Sequence, residues 1–279
     1  GTRFGVEPEV TFLREGGDGH DFGYAYKNKQ KSSGQLVFNA RPEILGQLLQ
    51  LIPGGTTSFP AAAASAHQFH TGHASYPWST IITQFPGSDM GHLLANVRFT
   101  GITFEYESGQ PLKITAPFIA LSHGASIGAF TPSYDTREEP FLYHHSPTFV
   151  VGGAGDARVT RVQVEHTLSI EELQAQAVTL DEAVVLNKDT TVEVERRYED
   201  SNLWKAVAMG GGVVPTISVP TSDLRVNQQY FSGGSLRQFD LNAKLIAWET
   251  ADLGEFNPDG VTVSDIYTGK VLEGATHAL

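Results

Sequence analysis

The chain has 279 residues, of which 40% are hydrophobic and 18% charged, a composition that supports a packed core and excludes a disordered chain. Its formal net charge of −12 argues against a protein that wraps nucleic acid, because phosphate neutralisation needs clustered Lys and Arg. The absence of cysteine excludes disulfides, thiolate metal sites and cysteine nucleophiles, and fits folding in a reducing cytoplasm.

In chain order, Gly1 to Leu13 lacks the basic start, apolar block and cleavage site of a secretory leader, and is expected to follow a processed or omitted start. No apolar run is long enough for a membrane-spanning helix, so no membrane partner is expected. Leu36-Val37-Phe38 reads as a strand. Pro42 then sits where an early helical proline is tolerated, and Ile44, Leu45, Leu48, Leu49 and Ile52 form one apolar face. Pro53-Gly54-Gly55 ends that helix. The stretch from Gly54 to Pro77 is long, small and polar, as interaction loops are. Asn96 to Tyr106 and Leu112 to Leu121 are β-rich runs joined through Glu107-Ser108-Gly109-Gln110-Pro111, a hairpin signature.

Ser122 to Gly155 is rich in Gly, Pro, Ser and His and is the natural joint between two halves. Beyond it, Val162, Val164 and Leu168 alternate with polar residues, as do Val192, Val194 and Tyr198, the pattern of half-buried antiparallel strands. A short helix is expected around Ile170 to Ala177. A second amphipathic helix is expected from Asp200-Ser201 through Leu203, Trp204, Val207 and Ala208 to Gly210-Gly211-Gly212. Arg237 to Trp248 alternates cleanly, and Val261 to Leu272 pairs with it.

The ordered series of strand, helix, glycine stop, long polar stretch and strand pair occurs twice, with Leu36-Val37-Phe38 matched to Val192-Glu193-Val194. The expectation is a mainly β protein with two tandem sandwich- or barrel-like folds, each with a flanking α-helix. The first would cover residues 1–135 and the second 136–279, with the joint within 122–155.

No chemistry converges. His67, His70 and His73 are spaced H-x-x-H-x-x-H, but Gly72 argues against a helix and no carboxylate lies nearby to orient the rings. His144-His145 reads as a loop pair. The glycine clusters at Gly152-Gly155 and Gly210-Gly212 lack phosphate-loop context. Glu138-Glu139 and Glu171-Glu172 read as solvated pairs. No catalytic, cofactor-binding or metal-ligating residue is assigned, and no cofactor is expected. The aromatics Phe59, Phe69, Tyr76 and Trp78 of the first half, and Tyr230 and Phe231 of the second, are candidate contacts between subunits.

Several segments together resemble the tail-tube (major tail) proteins of long-tailed, siphovirus-type bacteriophages. They are Phe4-Gly5-Val6-Glu7-Pro8, Gly34-Gln35-Leu36-Val37-Phe38 with Arg41-Pro42, Pro77-Trp78-Ser79-Thr80-Ile81, Asn96 to Ile102, and Leu112 to Phe118. The resemblance implies a non-enzymatic virion protein, assembled in the host cytoplasm, whose subunits join sheets edge to edge into stacked rings around a channel. Its partners would be other copies of itself, as trimers with pseudo-sixfold symmetry or as hexamers. Tape-measure and other tail proteins would follow, and DNA would pass through without sequence-specific binding. The competing expectation is a β-sandwich tail-tip or adhesin-like module recognising a host surface glycan.

Overall fold

The computed structural model describes residues 2–13, 24–52, 68–70, 76–84, 91–124, 141–142, 148–151, 154–175, 177–198, 223–232, 235–254 and 264–278. The helix expected from Asp200, the loop aromatic Phe59, His67, His73 and the His144-His145 pair lie outside them.

The described chain is mainly β, with one short helix. Its strands are β1 (Thr2–Leu13), β2 (Tyr24–Asn39), β3 (Gln68–His70), β4 (Ser79–Gln84), β5 (Gly91–Phe99), β6 (Gly101–Glu107) and β7 (Lys113–Gly124). They continue with β8 (Thr148–Val151), β9 (Ala154–Gly155), β10 (Val159–Leu173), β11 (Glu182–Arg197), β12 (Asp223–Ser232), β13 (Ser235–Leu253) and β14 (Ser264–Ala278). Helix α1 spans Pro42–Leu51.

All fourteen strands belong to one antiparallel sheet, ordered β1-β2-β7-β6-β10-β11-β14-β13-β12-β8-β9, with β5 and β4 beside β7 and β3 beside β14. Strands from both halves of the sequence therefore share one sheet. They also share one core: Leu45, Phe104 and Phe118 pack in the same cluster as Val164, Val192 and Phe239. The sheet curls back over itself. Tyr106 on β6 meets Phe149 on β8 edge to face, at 6.0 Å between ring centroids, and its hydroxyl donates to Gln228 Oε1 on β12 at 3.3 Å.

Helix α1 starts without a side-chain cap. Arg41 at the N-cap is extended, and Pro42 follows in the first turn, where its missing N–H costs nothing. The entry is fixed by three backbone bonds, Ala40 N–H to Leu112 O, Leu112 N–H to Leu142 O and Leu142 N–H to Ala40 O, at 2.7, 2.6 and 3.2 Å. Leu45, Leu48, Leu49 and Ile52 are buried as the apolar stripe requires, each stabilising the fold by roughly 1.5–3 kcal/mol. Ile44 lies outside that stripe, 41% exposed, because the buried arc is narrower than five residues.

Two expectations are corrected. The stretch from Ile170 is not helical: β10 runs on to Leu173, and Ile170 packs against Ile119 and Leu121. The single run from Asn96 to Tyr106 is two strands, parted at Thr100, whose N–H donates to Pro117 O and whose carbonyl accepts from Leu168 N–H.

Candidate functional site: a strand join and two open edges

The two halves meet where β6 pairs with β10, from Arg161↔Glu107 to Thr167↔Gly101. On the inner face, Phe104 stands opposite Val164 and Tyr106 opposite Val162, all buried. Burial without a charged partner pushes the Tyr106 phenol well above its ordinary pKa. Ile102 stands opposite His166, which is also buried; His166 Nδ1 lies 2.8 Å from Thr190 Oγ1, and Nε2 has no hydrogen-bond partner among the described residues. Burial and nearby Lys188 push the His166 imidazole down to about 4.

The outer face of the join carries an ion-pair ladder across four strands. Lys113 on β7 lies 3.1 Å from Glu105 on β6, which lies 2.9 Å from Arg161 on β10, which in turn pairs with Glu193 on β11. Burial alone would raise the Glu105 carboxyl, but hydrogen bonds from Lys113 and Arg161 hold it below the usual range.

Past Thr167, the β10–β11 hairpin leaves β6 and lies as an arm across β2 and β7. Glu172 pairs with Lys29 and Lys31 at 2.6 and 3.1 Å, and Gln30 N–H donates to Val178 O at 2.8 Å. Ile170, Leu180 and Ala183 pack on Ile119 and Leu121. Arg98 donates to the Ala183 carbonyl and to that of Tyr76, with its guanidinium 3.9 Å over the Trp78 ring.

Among the described residues β3, β4 and β9 are each paired on one side only, and two longer edges are open as well. Among the described residues, β1 pairs with β2 alone. The end of β13 past Lys244 pairs with β14 but, among the described residues, has no neighbour on its other side. Apolar side chains stand exposed at both: Val6 (37%) on β1 and Leu253 (40%) on β13. An unpaired edge with apolar residues is a template for another strand.

The sequence-predicted contact aromatics are scattered rather than gathered. Tyr76 is half-buried and Trp78 is exposed beneath Arg98. Phe69 lies in β3, opposite His277, and Phe231 in β12, opposite Leu236. Tyr230 is buried in the core. Among the described residues no three His, Asp or Glu side chains are grouped to hold a metal, and no helix is long and apolar enough to cross a membrane. Val6 and Leu253 are not among the sequence-predicted contacts; the pairing of the strands identifies them.

No known protein family matches this chain, and no curated protein matches it.

Proposed function

We propose that this chain is a structural, non-enzymatic subunit of the tail tube of a long-tailed bacteriophage, built from a duplicated unit and joined to its neighbours through strand edges. The observation that carries the reading is the join of β6 to β10, in which the last edge of one half pairs with the first edge of the other. A head-to-tail contact of this kind, repeated between copies, generates a ring or a helix rather than a closed pair.

The duplicated-unit reading is supported by a match between four strands of each half. The β1–β2 hairpin closes at Leu13↔Tyr24 and the β10–β11 hairpin at Leu173↔Glu182. Each has a bulge at the same place: Asn28 is the extra residue between the pairs of Glu9 and Val10, and Leu186 between those of Ser169 and Ile170. The second strand of each hairpin pairs with the last strand of its half, ending at Asn39↔Lys113 and Arg197↔Ser264. This register matches Leu36 with Val194, two residues from the match suggested by sequence alone. The long strand of each half pairs with that same last strand, β5–β6 with β7 and β13 with β14, and carries a short outer strand, β4 or β12.

On this correspondence the open end of β13 is the counterpart of β6, and the open edge of β1 that of β10. Pairing them between copies sets Ala251 opposite Val6 and Leu253 opposite Phe4, as Ile102 and Phe104 stand opposite His166 and Val164. It stops at Pro8, which has no N–H to copy the bond from Leu168 to Thr100. Three chains would supply six units of four strands, about 24 strands and roughly 115 Å around, enough to pass duplex DNA. Rings stacked in the virion tail, beside tape-measure and other tail proteins, would conduct DNA along a wall whose acidic balance keeps phosphates mobile.

Negative-stain microscopy of the concentrated protein tests this reading. Rings or stacked tubes with three- or sixfold end views support it. A persistent monomer that binds glycans would overturn it in favour of a tail-tip or adhesin-like module.

A further inference from the structure

Resting on that reading, we infer that the β1–β2 hairpin is an arm that clasps the next copy of this chain, lying across the exposed stretch 186–189 of that copy's β11. The internal template is the β10–β11 arm, already seated on β2 and β7.

The two arms differ in what covers them. In the seated arm, Ala183 is fully buried and Ile170 is half-buried against the first half. Their counterparts in the β1–β2 hairpin are Ala25 and Val10, and both are exposed. Phe12, the counterpart of Glu172, is 59% exposed on the same face. An alanine matched to an alanine, one at zero exposure and the other in solvent, is a packing position awaiting its partner.

The receiving surfaces differ in the same way. Lys29, Gln30 and Lys31 of β2 are half-buried beneath the seated arm. The matching residues of β11, Asn187, Lys188 and Asp189, are exposed, and beside them Leu186 is 62% exposed. The exposed side chains of the β1–β2 arm and of the receiving stretch 186–189 are thus the two sides of one contact that exists once within the chain. Because the arm of each copy reaches the next in the same direction as the edge pairing, it closes no dimer and adds to the ring contact.

The chain has no cysteine, so each introduced thiol is the sole one in its copy. Copies carrying Phe12→Cys are mixed with copies carrying Asn187→Cys under assembly conditions and treated with a short bismaleimide. In parallel, Val6→Cys and Ala251→Cys copies are mixed and oxidised; residues opposite each other on antiparallel strands lie within disulfide range. Crosslinked heterodimers are expected in both mixtures, at least ten-fold above the yield at dilution. An edge disulfide without the arm crosslink overturns the arm and leaves the tube reading standing. An arm crosslink without the edge disulfide also overturns the placement, since the template joins the two. Neither crosslink, with a monomer by microscopy, overturns the tube reading itself.

Discussion

Gly101 on β6 lies so close to His166 on β10 that a Cβ at position 101 would stand 2.5 Å from the His166 carbonyl oxygen. The obstacle is backbone, at the end of the pairing that unites the two halves, so no side chain can turn aside to make room. Gly101→Ala is expected to destabilise the chain by about 1–3 kcal/mol, and Gly101→Val by more. Because the strain falls on the join, amide protection of Leu168, whose N–H bonds Thr100 O beside it, should fall more than that of β2. Hydrogen exchange reads this directly. Equal loss of protection across both halves would mean that the join is not a separate weak point.

His166 makes the same join sensitive to acid. Its imidazole is buried, bonded at one nitrogen to Thr190 and held down to about 4, first by burial and then by Lys188, with Asp189 opposing. The folded chain therefore resists the proton that the unfolded chain accepts near 6.5. The contribution is complete above pH 6.5 and is lost as pH falls from 6.5 towards 4, amounting to roughly 3 kcal/mol across that window. Urea unfolding of dilute protein at pH 7, 6, 5 and 4.5 should show the decline, and His166→Gln should flatten it. An unchanged slope in the variant would assign the decline to other groups.

Where one face of an element is buried and the other wet, its pattern was legible. Helix α1 announced itself through Pro42 and the stripe ending at Ile52, and β11 and β13 through strict alternation. The edge strand β1 left no such trace, because Val6, Val10 and Phe12 are exposed and alternate against nothing. In sequence the end of β10 reads as helix, and Glu171-Glu172 as a solvated pair, because the partners of Glu172, Lys29 and Lys31, lie far along the chain. The join depends on register between distant strands, and no local spacing encodes it. Of the aromatics singled out as contacts, Tyr230 is core and Trp78 is exposed, while the open apolar positions also include Val6, Val10, Phe12, Leu186 and Leu253.

The core beneath α1 should be sensitive to small losses of volume. Leu49 is fully buried in a cluster shared by both halves, so Leu49→Ala leaves a cavity that neighbours on two sides must close. The expected cost is about 2–5 kcal/mol. If that core unites the halves, one transition should carry both, seen as coincident melting by far-UV circular dichroism and tryptophan fluorescence. Two separate transitions in the variant would mean that the halves unfold independently.

Asp156 gives the counterpart to His166 at the start of β10. Its Oδ1 accepts from Arg158 N–H and Nε–H at 3.0 and 2.8 Å, and its Oδ2 lies 3.5 Å from Arg196 Nε. Burial alone would raise this carboxyl, but the Arg158 hydrogen bonds and the two guanidinium charges hold it below the usual range. Asp156→Ala removes the anion between two arginines, one of them buried, and is expected to cost about 3–5 kcal/mol. Asp156→Asn, which keeps an acceptor but not the charge, should recover part of that. The pH sign separates this group from His166. A carboxyl held low contributes fully above its ordinary value near 3.8 and loses that contribution only as pH falls through its lower folded value. Asp156→Asn should therefore lower stability by the same amount at pH 7 and pH 5, while His166→Gln changes the difference between them. A pH-dependent deficit for Asp156→Asn in that range would show that its charge is coupled to the histidine at the join.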